Sequence, residues 1–194
     1  QHLGAKHLYL PLSYDFDAIA AGYDALCDTL GIARRDFSKQ RERADAALRH
    51  ARQLIGDTPV EIDYTLTFKP LGLARLLLSY GFRVTTMYAD AFLGEEREDF
   101  EALRRMAPGL VLRPTVHAGM RFASRERGQK VLALGQKAAY FAGTPHFVNV
   151  VECGGMFGFD GICRLAKLME EAFCEEKDTK SLIQIKGLGC GCCS

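Results

Sequence analysis

From Asp15 onward the apolar residues Phe16, Ile19, Tyr23, Leu26 and Leu30 fall three or four positions apart and stop before Gly31, a spacing that predicts an amphipathic helix. A second helix is expected over 38–54, rich in Arg, Glu and Ala, with Ala44, Ala47, Leu48, Ala51, Leu54 and Ile55 as its apolar stripe and Gly56 as its stop. His7 to Pro11, ahead of both, reads as extended. The period then changes. Val60, Ile62, Tyr64 and Leu66 alternate with Glu61, Asp63, Thr65 and Thr67, which predicts a strand over 60–67 with one polar face.

Pro70 opens a further helix, with Leu71, Ala74, Leu77 and Leu78 inward and Gly81 as a left-handed cap. The pattern continues with a strand over 82–88, a helix over 95–106, an apolar strand over 110–112 and an exposed turn or loop over 116–129. It then predicts a strand over 131–134, a helix over 136–142 ending at Gly143, and a strand over 147–151. Strands alternating with helices of this length predict parallel pairing and right-handed crossovers. The expected fold is therefore α/β: a three-layer α/β/α Rossmann-like parallel sheet with an N-terminal helical pair. Its expected parts are a helical lead-in over 1–57, the Rossmann-like domain over 58–178 and a Cys-rich tail over 179–194.

Composition narrows the function classes. The 194 residues are 48% hydrophobic and 25% charged, which excludes disordered and low-complexity classes. Lys and Arg number 25 against 24 Asp and Glu, leaving +1, so neither nucleic acid nor an anionic membrane surface finds electrostatic support. No apolar run approaches the length of about 20 residues that spans a bilayer. Of seven cysteines, Cys27, Cys153, Cys163 and Cys174 are scattered, the usage of a reducing, cytoplasmic compartment. Gln1 as first residue reads as a fragment or a processed chain.

The best local candidate for chemistry is the glycine-rich connection between the strand ending near Val151 and the helix carrying Ile162, Leu165, Ala166, Met169 and Phe173. Ligands of open α/β sheets sit beyond the carboxyl ends of the strands, and glycines let backbone approach them. The residues proposed there are Glu152, Cys153, Gly154, Gly155, Met156, Phe157, Gly158, Phe159 and Asp160. The plainer alternative is a tight turn with Asp160 as the helix N-cap. It is neither a dinucleotide fingerprint nor a P-loop. His146 and His117 follow as residues of a ligand cleft or as ordinary loop histidines. Cys190, Cys192 and Cys193 offer soft thiolate ligands for a metal or part of an iron–sulfur cluster; a flexible tail of reactive thiols is the alternative.

The run Gly155-Met156-Phe157-Gly158-Phe159-Asp160-Gly161, followed by Ile162-Cys163-Arg164-Leu165-Ala166, resembles the C-terminal turn and helix of the nitrogenase component 1-type oxidoreductases. The paired helices ending near Ile55 and the segment Gly81-Phe82-Arg83-Val84 are similar to the start of the same region. The resemblance covers roughly residues 7 to 175. It implies the last of three Rossmann-like domains of such a subunit, inactive alone and without a cofactor of its own. The full assembly would hold an iron–sulfur or related metallocluster, or a tetrapyrrole, between domains. The implied partners are the upstream domains, a homologous subunit in a two-fold or pseudo-two-fold assembly, and an ATP-driven iron–sulfur reductase. The other reading open at this point is a non-catalytic metal-binding or cofactor-assembly module that uses the C-terminal cysteines.

Overall fold

The computed structural model describes residues 7–122, 128–179 and 181–182. The first helix, α1 (Phe16–Leu30), starts where Asp15 accepts hydrogen bonds from the Asp17 and Ala18 amides and stops at Gly31 in the left-handed conformation. The second, α2 (Ser38–Ile55), buries Ala44, Leu48, Ala51 and Ile55. The elements that follow are β1 (Val60–Asp63), α3 (Pro70–Ser79), β2 (Val84–Tyr88), α4 (Arg97–Met106), β3 (Val111–Arg113), β4 (Leu132–Leu134), α5 (Gln136–Ala142), β5 (Phe147–Val148) and α6 (Gly158–Cys174). Every strand pair is parallel, in the order β3-β2-β1-β4-β5. No helix among the described residues is long and apolar enough to cross a membrane.

Two cores flank the sheet. The larger joins Val60, Ile62, Leu132 and Val148 of the strands to the buried faces of α2, α3, α4 and α6, and α2 packs along α6. The smaller, on the opposite face, gathers Tyr88, Ala133 and Phe147 with Ala138, Ala139 and Phe141 of α5. As a three-layer fold requires, coverage reaches the polar side of β1: Glu61 and Asp63 are both 0% exposed, because β1 is the central strand and α5 lies over it.

The differences from expectation are of length, and side chains explain them. β1 ends at Asp63, four residues before Thr67, because the Asp63 carboxylate accepts from the Thr65 amide at 2.7 Å and from the Thr65 hydroxyl, bending the chain out of the ladder. β5 stops at Val148 because the Glu152 amide turns back to Thr65 O at 2.7 Å. The segment before α4 is a short 3-10 turn over Gly94–Glu96. In the 116–129 region a 3-10 turn over Ala118–Phe122 buries Met120. Helix α6 begins at Gly158, so Asp160 stands inside its first turn and is not its cap.

Candidate functional site: the carboxyl edge of the sheet

From β1 the chain steps through β2 to β3 and then returns to β4 on the other side of β1. The crevice between the ends of β1 and β4 is therefore the switch point where open α/β sheets receive ligands. Here a side chain of the protein fills its floor. Asp63, at the end of β1, accepts from the Ala138 amide in the first turn of α5 at 2.7 Å as well as from Thr65. Burial pushes the Asp63 carboxyl above the usual range, against the opposing pull of these hydrogen bonds. Gly135, at φ +112°, makes room: a Cβ there would fall 2.5 Å from Asp63 Cγ. A carboxylate thus already sits against the start of α5, where a phosphate would otherwise dock.

Polar groups lie beside this plug. The Lys137 ammonium donates to the Tyr64 hydroxyl and stands 3.3 Å from Thr115 Oγ1 and 4.3 Å from the Tyr64 ring centroid. Asp90, just past β2, accepts from the Thr115 hydroxyl at 2.5 Å and from the Thr115 and Val116 amides at 2.7 and 3.1 Å. Its burial works to raise the pKa, yet these bonds and the Lys137 charge hold the carboxyl below the usual range. Gln136 donates to Asn149 at 2.5 Å and links the ends of β4 and β5. Around these groups the connections expose apolar side chains: Phe68 after β1, Phe92 and Leu93 after β2, Val116 after β3, and Val151 and Phe157 after β5. Phe68 and Phe157 are 54% and 58% exposed.

The glycine-rich connection lies on the same edge but is arranged differently from a simple amide cradle. Glu152, Cys153, Gly154 and Gly155 all have positive φ, at 51°, 65°, 48° and 78°. Such a left-handed run is rare for L-residues and costs of order 1–3 kcal/mol at each non-glycine position. It is pinned to the β1–α3 connection by Glu152 N to Thr65 O and Cys153 N to Leu66 O, both 2.7 Å. The Cys153 thiol lies 3.4 Å from Thr67 Oγ1, and the Arg164 guanidinium donates to Gly154 O at 3.0 Å. The amides of Gly154, Met156 and Phe157 also go to backbone carbonyls, so most of the turn's donors are spent internally. At Gly158, φ +61°, the Tyr23 hydroxyl occupies the space a side chain would need.

The proposed residues therefore divide. Glu152, Gly154, Gly155, Phe157 and Asp160 are exposed on the edge, with Gly158 half-buried among them. Cys153, Met156 and Phe159 are buried, the last two in the larger core. Asp160 faces Arg43 at 3.3 Å. His146 is not with them. It precedes β5, at the amino end of the sheet, is 8% exposed, and its Nδ1 lies 3.0 Å from Ala172 O. His117 is exposed in the loop after β3, where its Nδ1 accepts from the Gly119 amide at 3.1 Å. Cys190, Cys192 and Cys193 lie outside the described residues. Among the described residues no group of three or more His, Cys, Asp or Glu converges as a metal site. They do not by themselves fit the ligand set of a metallocluster. The sequence pattern did not single out Asp63, Tyr64, Asp90, Thr115, Gln136 or Lys137 as site residues. Their shared signal is position, each within three residues of the carboxyl end of a strand.

No family model and no curated protein matches the sequence. Among solved structures, nitrogenase Cp1 at pH 6.5 is similar, with a TM-score of 0.59 at 15% identity, over 87% of this chain and 40% of that one. The chain spans less than half the length of that neighbour. At this identity the likeness is one of fold: a Rossmann-like α/β domain with a five-stranded parallel sheet, similar to part of that structure.

Proposed function

We propose that the chain is one Rossmann-like domain of a nitrogenase component 1-like oxidoreductase subunit and that its carboxyl edge forms one wall of a site shared with other domains. The observation that carries this reading is the composition of that edge. A half-buried Lys137–Tyr64–Thr115 cluster, with the exposed Asp90 bonded to Thr115, is rimmed by exposed Phe68, Phe92, Val116, Val151 and Phe157. Apolar side chains gathered around a few convergent polar groups are the lining of a ligand pocket, here with the opposite wall left to another domain. The fold neighbour, a nitrogenase more than twice as long, supports the same arrangement.

Within such a site these residues bind and orient. Lys137 supplies a positive charge, and Tyr64 and Thr115 supply hydroxyls, for an acidic group of a bound cofactor or substrate. The metallocluster or tetrapyrrole of the assembly would bring the redox chemistry, and its metal ligands would come from upstream domains, as would the docking surfaces for a homologous subunit and an ATP-driven iron–sulfur reductase. The test is anaerobic purification of the full-length subunit, with metal analysis and visible spectra, beside a Lys137→Met, Tyr64→Phe variant of equal stability. The expected result is a coloured or metal-bearing protein whose cofactor content falls in the variant. A colourless, metal-free and ligand-free subunit contradicts the reading.

A further inference from the structure

The two ends of the sheet are finished differently. Beyond β5 the chain's own return from α6 closes the edge: the Lys177 amide donates to Pro145 O at 2.9 Å, its ammonium to Phe147 O at 2.8 Å, and the Thr179 hydroxyl to Thr144 O at 3.2 Å. At the other end β3 has no strand beyond it, and all three of its residues are exposed. Arg113 O accepts from the Ala89 amide at 3.0 Å, so by the alternation along a parallel strand the N–H and C=O of Leu112 point away from the sheet. Pro114 follows without an N–H, and the Thr115 amide turns back to Asp90. The open ladder is therefore short, and side chains must supply most of the affinity of anything that adds to it.

Those side chains are of two kinds. Beside β3 a pocket of about 330 Å³ is lined by Leu71, Phe100, Leu103, Leu110 and Leu112, with Arg104 among them. Val111 and Leu112 are 42% and 41% exposed, and Met106 at the end of α4 is 47% exposed, so the apolar surface continues out of the pocket. The charges next to it are of one sign. Arg83 precedes β2, Arg105 lies in the last turn of α4 and Arg113 ends β3; all three are exposed and have no acidic partner among the described residues. By contrast Arg34, Arg41, Arg49, Arg52 and Arg75 each pair with an aspartate of the same chain. The dipole of α4 accounts for Arg105, but Arg83 and Arg113 stand at strand ends, where no such pull acts. A second copy of the chain would set like charges against like, which opposes self-pairing, whereas carboxylates on another protein would match them. We propose that the β3 edge is a docking surface for an extended acidic segment of a partner protein, with one apolar side chain entering the pocket beside Leu112 and flanking carboxylates meeting Arg105 and Arg113.

The test is fluorescence anisotropy of the full chain with a labelled ten-residue peptide that has a central leucine on a threonine background and two aspartates at each end. Two further peptides replace the leucine by serine or the aspartates by lysines. Saturable binding of the first is expected, weakened at least fivefold in Arg105→Gln, Arg113→Gln and less than twofold in the charge-matched control Arg35→Gln, Lys167→Gln away from β3. The serine and lysine peptides should each bind at least fivefold more weakly than the first. Absence of saturable binding, equal loss in both double variants, or either altered peptide binding as well as the first would overturn the proposal. So would a dimer in sedimentation velocity that Leu112→Asp dissolves, which would give the edge to a second copy. The exchanged side chains are exposed, and urea midpoints matching the wild type show that any loss of binding is not a loss of the fold.

Discussion

Asp63 and Glu96 make the same local contact with opposite outcomes. Each is a fully buried carboxylate that accepts from backbone amides in the first turn of a helix, Asp63 from α5 and Glu96 from α3. At Asp63 both oxygens are satisfied, one by Thr65 and the other by Ala138. At Glu96 only one is. Burial raises both carboxyl pKa values, but the surroundings of Asp63 are built around it, down to the missing side chain at Gly135. The difference separates a structural plug, which closes the switch point, from a buried carboxylate with one oxygen left unpaired.

The largest expected effect comes from Gly135→Ala, which combines a φ of +112° with a Cβ 2.5 Å from the Asp63 carboxyl carbon. A loss of about 3 kcal/mol or more in urea unfolding is expected. Adding Asp63→Gly should recover part of it, and no recovery would show that the backbone angle alone is at fault. Next is Asp63→Asn, which turns an amide donor toward an existing donor on one side or the other. About 1–3 kcal/mol should be lost, whereas an unchanged midpoint would reduce Asp63 to the standing of Glu96.

Glu96→Gln should behave differently, because an amide keeps the acceptor that Leu71 and Gly72 use and removes the buried charge. Glu96 binds its proton more tightly folded than unfolded. The stability it contributes is therefore complete below its unfolded value, about 4.3, and is lost as pH rises through the higher folded value. The wild type should weaken relative to the variant across that window and stay weaker at neutral pH; parallel stability-against-pH curves would count against the raised pKa. The smallest effect is at Glu152, exposed with φ +51°. Glu152→Gly should stabilise by about 0.5–1 kcal/mol without altering the edge cluster.

The sequence made the helices legible and the strand ends illegible. The stops at Gly31 and Gly143, the parallel pairing and most of the stripe in α2 follow from periodicity and glycine placement, whereas Leu30 of α1 and Leu54 of α2, expected inward, are 61% and 42% exposed. The ends of β1 and β5 do not follow from periodicity: the first is set by the turn of the Asp63 carboxylate onto Thr65, which apolar alternation does not reveal, and the second by the long-range contact of Glu152 with Thr65. The same holds for the site. Glycines at 154, 155 and 158 marked the turn, yet nothing local indicated that its amides would be used within the backbone or that Met156 and Phe159 would be core residues. Lys137 and Tyr64 lie 73 positions apart, and only the parallel pairing of β1 with β4 brings them together.

Hydroxyl-radical footprinting of the full-length subunit tests the shared-wall reading most directly. Phe68 and Phe157, 54% and 58% exposed in this domain, should be strongly protected there, while Leu54 on α2, 42% exposed, keeps its reactivity. Phenylalanines that react at the rate of open surface would mean that no second wall faces the carboxyl edge.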